Sequence, residues 1–166
     1  MIIVCYDGSE AAQAAADETI RLFRAKPVTV LTVPKSHAET LVDSGFGLGS
    51  GFGLGYQRAD ATLELEADLL RRARRTAQEG ARRLRAAGVG AEPLVEARDG
   101  SIARTVLAVA ERVNAEAVVV GTRGRRTAPS ALLGSVSHDL VRHADRAVLV
   151  VPPTALAGQR SPPTTT

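Results

Sequence analysis

The feature that most constrains this chain is the order in which short apolar runs and helix-period segments follow one another. Ile2 to Tyr6 reads as a first strand, Glu10 to about Arg24 as a first helix, Val28 to Val33 as a second strand and about Asp60 to Ala87 as a long second helix. Glu92 to Glu96 makes a weaker third strand. Ile102, Val106, Val109, Ala110 and Val113, spaced by four, three, one and three, then give a third helix one apolar face. Ala117 to Val120 is a fourth strand, Ser135 to about Arg142 a last helix and Ala147 to Val151 a last strand. Strict alternation of this kind marks βαβ units, in which helices cross over the faces of a parallel sheet. Because such crossovers are right-handed, the expected fold is α/β: an open doubly wound five-stranded parallel sheet, order 3-2-1-4-5, with helices on both faces. Ligands bind such sheets beyond the strand carboxyl ends, where strand order reverses, and the first and fourth strands flank that point. Asp7 and Gly121, far apart in the sequence, are therefore expected to meet in one pocket.

The segment that leaves the fourth strand carries the clearest chemistry. Gly121-Thr122-Arg123-Gly124 is followed after nine residues by Gly134-Ser135, where the last helix starts. Glycine lets backbone approach a ligand closely, and free N–H groups at a helix start attract anions. Ser135 and Ser137, on either side of Val136, add hydroxyls. Arg123, Arg125 and Arg126 supply guanidinium groups suited to phosphate, although arginines in a loop can equally well be solvated. Asp7 at the end of the first strand is an acceptor when ionised, matched to hydroxyl or amino groups rather than phosphate. Asp7-Gly8-Ser9 also reads as a turn and cap, with Ser9 as N-cap and Glu10 in the first helical turn.

The spacing Gly, two residues, Gly, nine residues, Gly-Ser resembles the nucleotide-binding signature of the universal stress protein family. Around it, Ala117 to Arg125, Leu132 to Ser137 and Ala147-Val148-Leu149-Val150-Val151-Pro152 are also similar to that family, as is Met1 to Ser9 with its Asp-Gly-Ser ending. The resemblance spans about residues 1–152 and implies a single Rossmann-like domain that binds ATP, in all expectation with Mg2+. It implies that Asp7 lies at the adenosine end, that the backbone of Val33 borders the adenine, and that Gly121, Thr122, Arg123, Gly124, Arg125, Gly134, Ser135, Val136 and Ser137 hold the phosphates. It further implies a homodimer joined through Val148 to Val151. The chain departs from the family's usual pattern at Asp145-Arg146-Ala147, where a proline commonly precedes the final valines.

Composition bounds the alternatives. With two tyrosines, three phenylalanines and no tryptophan among 166 residues, aliphatic side chains must fill the core, and stacking platforms for single-stranded nucleic acid are scarce. The single cysteine, Cys5, rules out an internal disulfide framework and fits a reduced, cytoplasmic setting. Neither a signal peptide nor an apolar run of membrane-spanning length is expected. The long second helix carries Arg71, Arg72, Arg74, Arg75, Arg82, Arg83 and Arg85 after an acidic start. That order suits the helix dipole, and i,i+4 pairing of Asp68 with Arg72 and of Glu79 with Arg83 makes a solvated face. An anionic partner surface is the alternative reading. Gly45 to Gly55 writes Gly-Phe-Gly-Leu-Gly twice around Ser50, a flexible insert within about 43–58, and residues 153–166 are an expected disordered tail.

Dedicated catalysis is not signalled. There is no Gly-x-x-x-x-Gly-Lys-Ser/Thr loop, since arginines follow Gly124, and His37, His138 and His143 are too scattered for a metal cluster. The resulting expectation is an ATP-binding stress sensor or regulator with slow or no hydrolysis. The alternatives are an adenylating or hydrolysing enzyme recruiting Asp7 or His138, and a nucleotide-free interaction module using the arginine helix and the insert.

Overall fold

The computed structural model describes residues 1–34, 59–124 and 133–153, with side chains omitted over 59–65. The glycine-rich insert, His37, Arg125, Arg126 and the tail from 154 onward lie outside the described residues. The elements run β1 (Ile2–Cys5), α1 (Glu10–Leu22), β2 (Val28–Thr32), α2 (Ala59–Ala86), β3 (Ala91–Val95), α3 (Ile102–Arg112), β4 (Ala117–Gly121), α4 (Ser135–His143) and β5 (Ala147–Val151). The strands form one five-stranded sheet in the order β3-β2-β1-β4-β5, and every pairing is parallel. The expected topology is the one observed, with boundaries moved by a residue or two.

The register shows why the central strands read as continuous apolar runs. Ile2 lies opposite Val28 on one side and Ala117 on the other, so β1 is paired along both edges and buried on both faces. Period-two alternation divides these side chains between two cores. Ile2, Val4, Tyr6, Val28, Val30, Ala117 and Val119 face α1 and α2, whereas Ile3, Leu31, Val118 and Val120 face α3 and α4. β3 is an edge strand, which explains its weak signal: Pro93 pairs with Val30, and an edge position tolerates its missing N–H.

Small residues set the first layer. α1 buries Ala11, Ala12, Ala14, Ala15 and Ala16 against the sheet, and α2 buries Ala73, Ala77, Ala81 and Leu84. Gly80 of α2 admits the Tyr6 ring: a Cβ there would stand 2.8 Å from Val30 Cγ1 and 2.9 Å from Tyr6 Cγ. The Tyr6 hydroxyl donates to Glu79 Oε1 at 3.3 Å. Glu79 therefore faces Tyr6, and Arg83 makes a two-bond pair with Asp17 of α1 at 2.7 and 2.6 Å, in place of the expected Glu79–Arg83 pair. The Asp68–Arg72 pair forms as expected, at 2.7 Å. The contrast arises because α1 packs beside α2 and offers Asp17, an acceptor that helical spacing within α2 does not reveal.

Arg146, at the entry to β5, has a structural task. Its Nη1 donates to the carbonyls of Ala110 at 2.8 Å and Ala115 at 3.0 Å, tying the end of α3 to the entry of β5, while Asp145 pairs with the same guanidinium.

Candidate functional site

At the carboxyl ends of β1 and β4 lies a cavity of about 380 Å³, within the usual range for small-molecule sites. Asp7, Val33, Gly121, Thr122, Arg123, Gly124, Gly134, Ser135, Val136 and Ser137 all line it, so the described residues expected to contact nucleotide are brought together there. Arg125 and Arg126 lie outside the described residues.

The β1–α1 turn fixes Asp7. Gly8 takes φ +79°, a left-handed conformation that glycine adopts without steric cost, and Ser9 N–H donates to Asp7 Oδ1 at 2.9 Å. Ser9 Oγ in turn accepts from Ala12 N–H at 3.2 Å, capping α1. The turn-and-cap reading and the pocket reading of Asp7 are thus compatible, because one carboxylate oxygen holds the turn while the other faces Gly124. A Cβ on Gly124 would come within 3.0 Å of Asp7 Oδ2.

The loop after β4 is clipped shut at its base. Thr122 N–H donates to Val151 O at 2.8 Å and Gly134 N–H donates to Thr122 O at 2.7 Å, so the two ends of the loop meet directly. Ser137, only 1% exposed, braces the same junction, its hydroxyl lying 2.9 Å from Thr122 O and 3.0 Å from Gly134 O. Its single proton is directed at loop carbonyls. Ser137 therefore holds the two ends of the loop together.

Gly121 also has a reason the sequence did not disclose. A Cβ at that position would lie 2.7 Å from both the carbonyl carbon and the Cβ of Ala11, and 2.8 Å from its carbonyl oxygen. The glycine allows β4 to end against the backbone of α1. Close approach is the property involved, as expected, but the body approached is a helix.

The polar end of the cavity is rich in donors. Gly134 is the N-cap of α4 and supplies no side-chain cap, unlike Ser9 for α1 and Ser101 for α3. The first N–H groups of α4, at Ser135, Val136 and Ser137, belong to the turn that an α-helix leaves without internal partners. Thr122 Oγ1 and Arg123 Nε are buried and have no hydrogen-bond partner among the described residues. Buried polar atoms normally have partners, so two such atoms on the wall of one cavity point to a ligand with complementary acceptors.

The rest of the lining is apolar, made by Cys5, Leu31, Val33, Ile102, Val106 and Val120. Sequence reading placed Ile102 and Val106 on the apolar face of a core helix, and periodicity alone gave no sign that the face ends at a cavity. Burial, with a smaller contribution from the Asp7 charge, pushes the Cys5 thiol up to about 12, which leaves it neutral and unsuited to nucleophilic attack. Burial and the neighbouring Glu79 carboxylate likewise raise the Tyr6 phenol above its ordinary value. His138 is exposed and absent from the cavity lining, and His143 Nδ1 lies 2.9 Å from Asp139 O. No helix among the described residues is long and apolar enough to cross a membrane.

Solved structures share this architecture. A universal stress protein family member from Burkholderia pseudomallei superposes with a TM-score of 0.64 at 22% identity, covering 91% of this chain and 94% of its own. A family protein from Arabidopsis thaliana with AMP bound gives 0.63 at 17% identity over 99% and 98%. The universal stress protein of Archaeoglobus fulgidus in complex with dAMP gives 0.55 at 22% identity over 90% and 95%. No curated protein is significantly similar in sequence. The family model described as the universal stress protein family matches residues 1–152, and the chain therefore belongs to the universal stress protein family.

Proposed function

We propose that this protein binds ATP, accompanied by Mg2+, in the cavity between β1 and β4 and acts as a nucleotide-dependent regulator in a stress response. The observation that carries this reading is the convergence of Asp7, the Thr122–Gly124 segment and the start of α4 on one cavity whose polar wall holds two unpartnered buried atoms. The cavity lining joins apolar and polar groups, as a nucleotide requires. Its aliphatic side chains, with Val33 just beyond β2, suit a purine ring, and Asp7 Oδ2, the carboxylate oxygen that Ser9 N–H does not hold, suits ribose hydroxyls. Thr122 Oγ1, Arg123 Nε and the N–H groups at the start of α4 suit phosphate oxygens. The AMP and dAMP held by structural neighbours support an adenine nucleotide. When bound, Mg2+ would neutralise phosphate charge through oxygen ligands, largely water and the phosphates themselves.

Among the described residues the cavity wall has no histidine, Cys5 is a neutral thiol, and Asp7 is held at one oxygen by Ser9 N–H, a set that supports binding and orienting a nucleotide. This favours retention of ATP with slow or no hydrolysis over a hydrolase or an adenylating enzyme. The edge strand β5, with Val148, Leu149 and Val150 half-buried, supports a homodimer formed through Val148 to Val151. The free thiol supports a cytoplasmic setting.

The test is to denature freshly purified protein, identify the released nucleotide, and titrate the emptied protein with ATP by calorimetry. ATP release, together with affinity weakened at least about tenfold by Asp7→Asn, is the expected result. Failure of the wild-type protein either to retain or to bind any adenine nucleotide would overturn the proposal.

A further inference from the structure

The outer face of α2 separates its arginines into two groups. Arg72 pairs with Asp68, Arg83 with Asp17 and Arg85 with Glu92, each at 2.8 Å or less. Arg71 makes only a 3.4 Å contact with Asp68. Arg74, Arg75 and Arg82 are exposed and form no ion pair with any described residue. The nearby carboxylates are engaged elsewhere: Glu79 accepts from Tyr6 and Asp17 holds Arg83. The self-neutralised face expected from helical spacing is therefore only partly formed.

Position on the helix gathers the uncompensated charges. At 100° per residue, Arg71, Arg74, Arg75, Gln78 and Arg82 fall within a band about 100° wide and about 17 Å long, beside the stripe of buried Ala77 and Leu84. Leu70, 38% exposed, lies one turn before Arg74 at the exposed end of the Ala77–Leu84 stripe, next to the edge of the band. A row of guanidinium groups beside one exposed aliphatic side chain combines the residue most often found at binding hot spots with an apolar anchor.

We infer that this face docks an acidic peptide segment of a partner protein, with carboxylates pairing to Arg74, Arg75 and Arg82 and an aliphatic side chain resting on Leu70. Each guanidinium offers a carboxylate two parallel N–H donors, and carboxylates three or four residues apart on a partner helix match the spacing of the band. A nucleic-acid backbone would use the arginines and leave Leu70 without a counterpart. With two tyrosines, three phenylalanines and no tryptophan in the chain, base stacking has few platforms to add. One leucine is too little apolar surface for insertion into a bilayer.

The probe is a fluorescent helical peptide of about twelve residues carrying glutamates at i, i+4 spacing and one leucine, titrated by anisotropy against the full chain at low salt. Duplex DNA and anionic phosphatidylserine vesicles serve as competing probes. The expected result is saturable peptide binding that weakens with salt, falls about tenfold in the Arg74→Gln/Arg75→Gln/Arg82→Gln variant, and is little changed in Arg72→Gln. Leu70→Ala weakens it further. The arginine side chains are exposed, so the arginine variants keep the wild-type thermal midpoint, which is recorded alongside. Absence of peptide binding, equal binding by the triple variant, or tighter binding of DNA or vesicles through the same arginines would overturn the inference.

Discussion

Gly121→Ala separates two explanations of the same glycine. If the residue served only to let a phosphate approach, a methyl group there would weaken nucleotide binding and leave folding alone. The structure predicts more. The new Cβ would meet Ala11 C and Cβ at 2.7 Å and Ala11 O at 2.8 Å, and two of those three atoms are backbone that cannot rotate away. Relief requires the end of β4 and α1 to separate by several tenths of an ångström, in a core where Ala15, Ala16, Val4 and Val119 are essentially inaccessible to solvent. Forcing extra volume into such packing costs about 1–3 kcal/mol, a large share of the roughly 5–15 kcal/mol available to a domain. At about 2–4 °C per kcal/mol for this chain length, the melting temperature falls by roughly 2–12 °C. Urea denaturation followed by circular dichroism, at equal slope, measures the free-energy change directly. Adding Ala11→Gly removes the Cβ–Cβ clash but keeps the two backbone contacts. The double variant should be less destabilised than the sum of the single changes, yet still below wild type. A stability change within about 0.5 kcal/mol for Gly121→Ala, with only nucleotide affinity lost, would refute the packing argument.

Three further outcomes follow from neighbouring geometry. Gly124→Ala places a Cβ 3.0 Å from Asp7 Oδ2 at an exposed position. It should change stability by less than about 0.5 kcal/mol while lowering ATP affinity about tenfold by calorimetry, the reverse of the pattern at Gly121. Arg146→Ala removes the donor that serves Ala110 O and Ala115 O, and should cost about 1–2 kcal/mol in urea denaturation, with Arg146→Lys intermediate because it retains charge but not the planar fork. Glu116 is held down to about 2 by Lys26 and then by the Met1 ammonium. Its native value lies below its unfolded one, so its contribution is present above pH 4.5 and is lost as pH falls toward 2. Melting curves of Glu116→Gln across that interval should show a shallower acid decline than wild type, and added salt should narrow the difference, since these groups are exposed.

The alternation of apolar runs and helical patterns by itself determined that this chain forms a doubly wound parallel sheet, because period-two and period-3.6 patterning are local properties of consecutive residues. Strand order then brought Asp7 to the glycine-serine segment, and that segment's donors were legible as residue types. Edge strand β3 was the least legible element, since a strand paired on one side needs less apolar patterning and tolerates Pro93. The tertiary structure alone decided what each local feature touches. It set Gly121 against Ala11 and turned the Ser137 hydroxyl toward Thr122 and Gly134. It lodged Tyr6 in the gap left by Gly80 and gave Arg83 to Asp17 rather than to Glu79, leaving Arg74, Arg75 and Arg82 uncompensated. The physical reason is common to all of these. Which partner a side chain finds depends on how closely distant segments pack, and that distance is set by the volumes of many residues together, whereas periodicity records only which face each one presents.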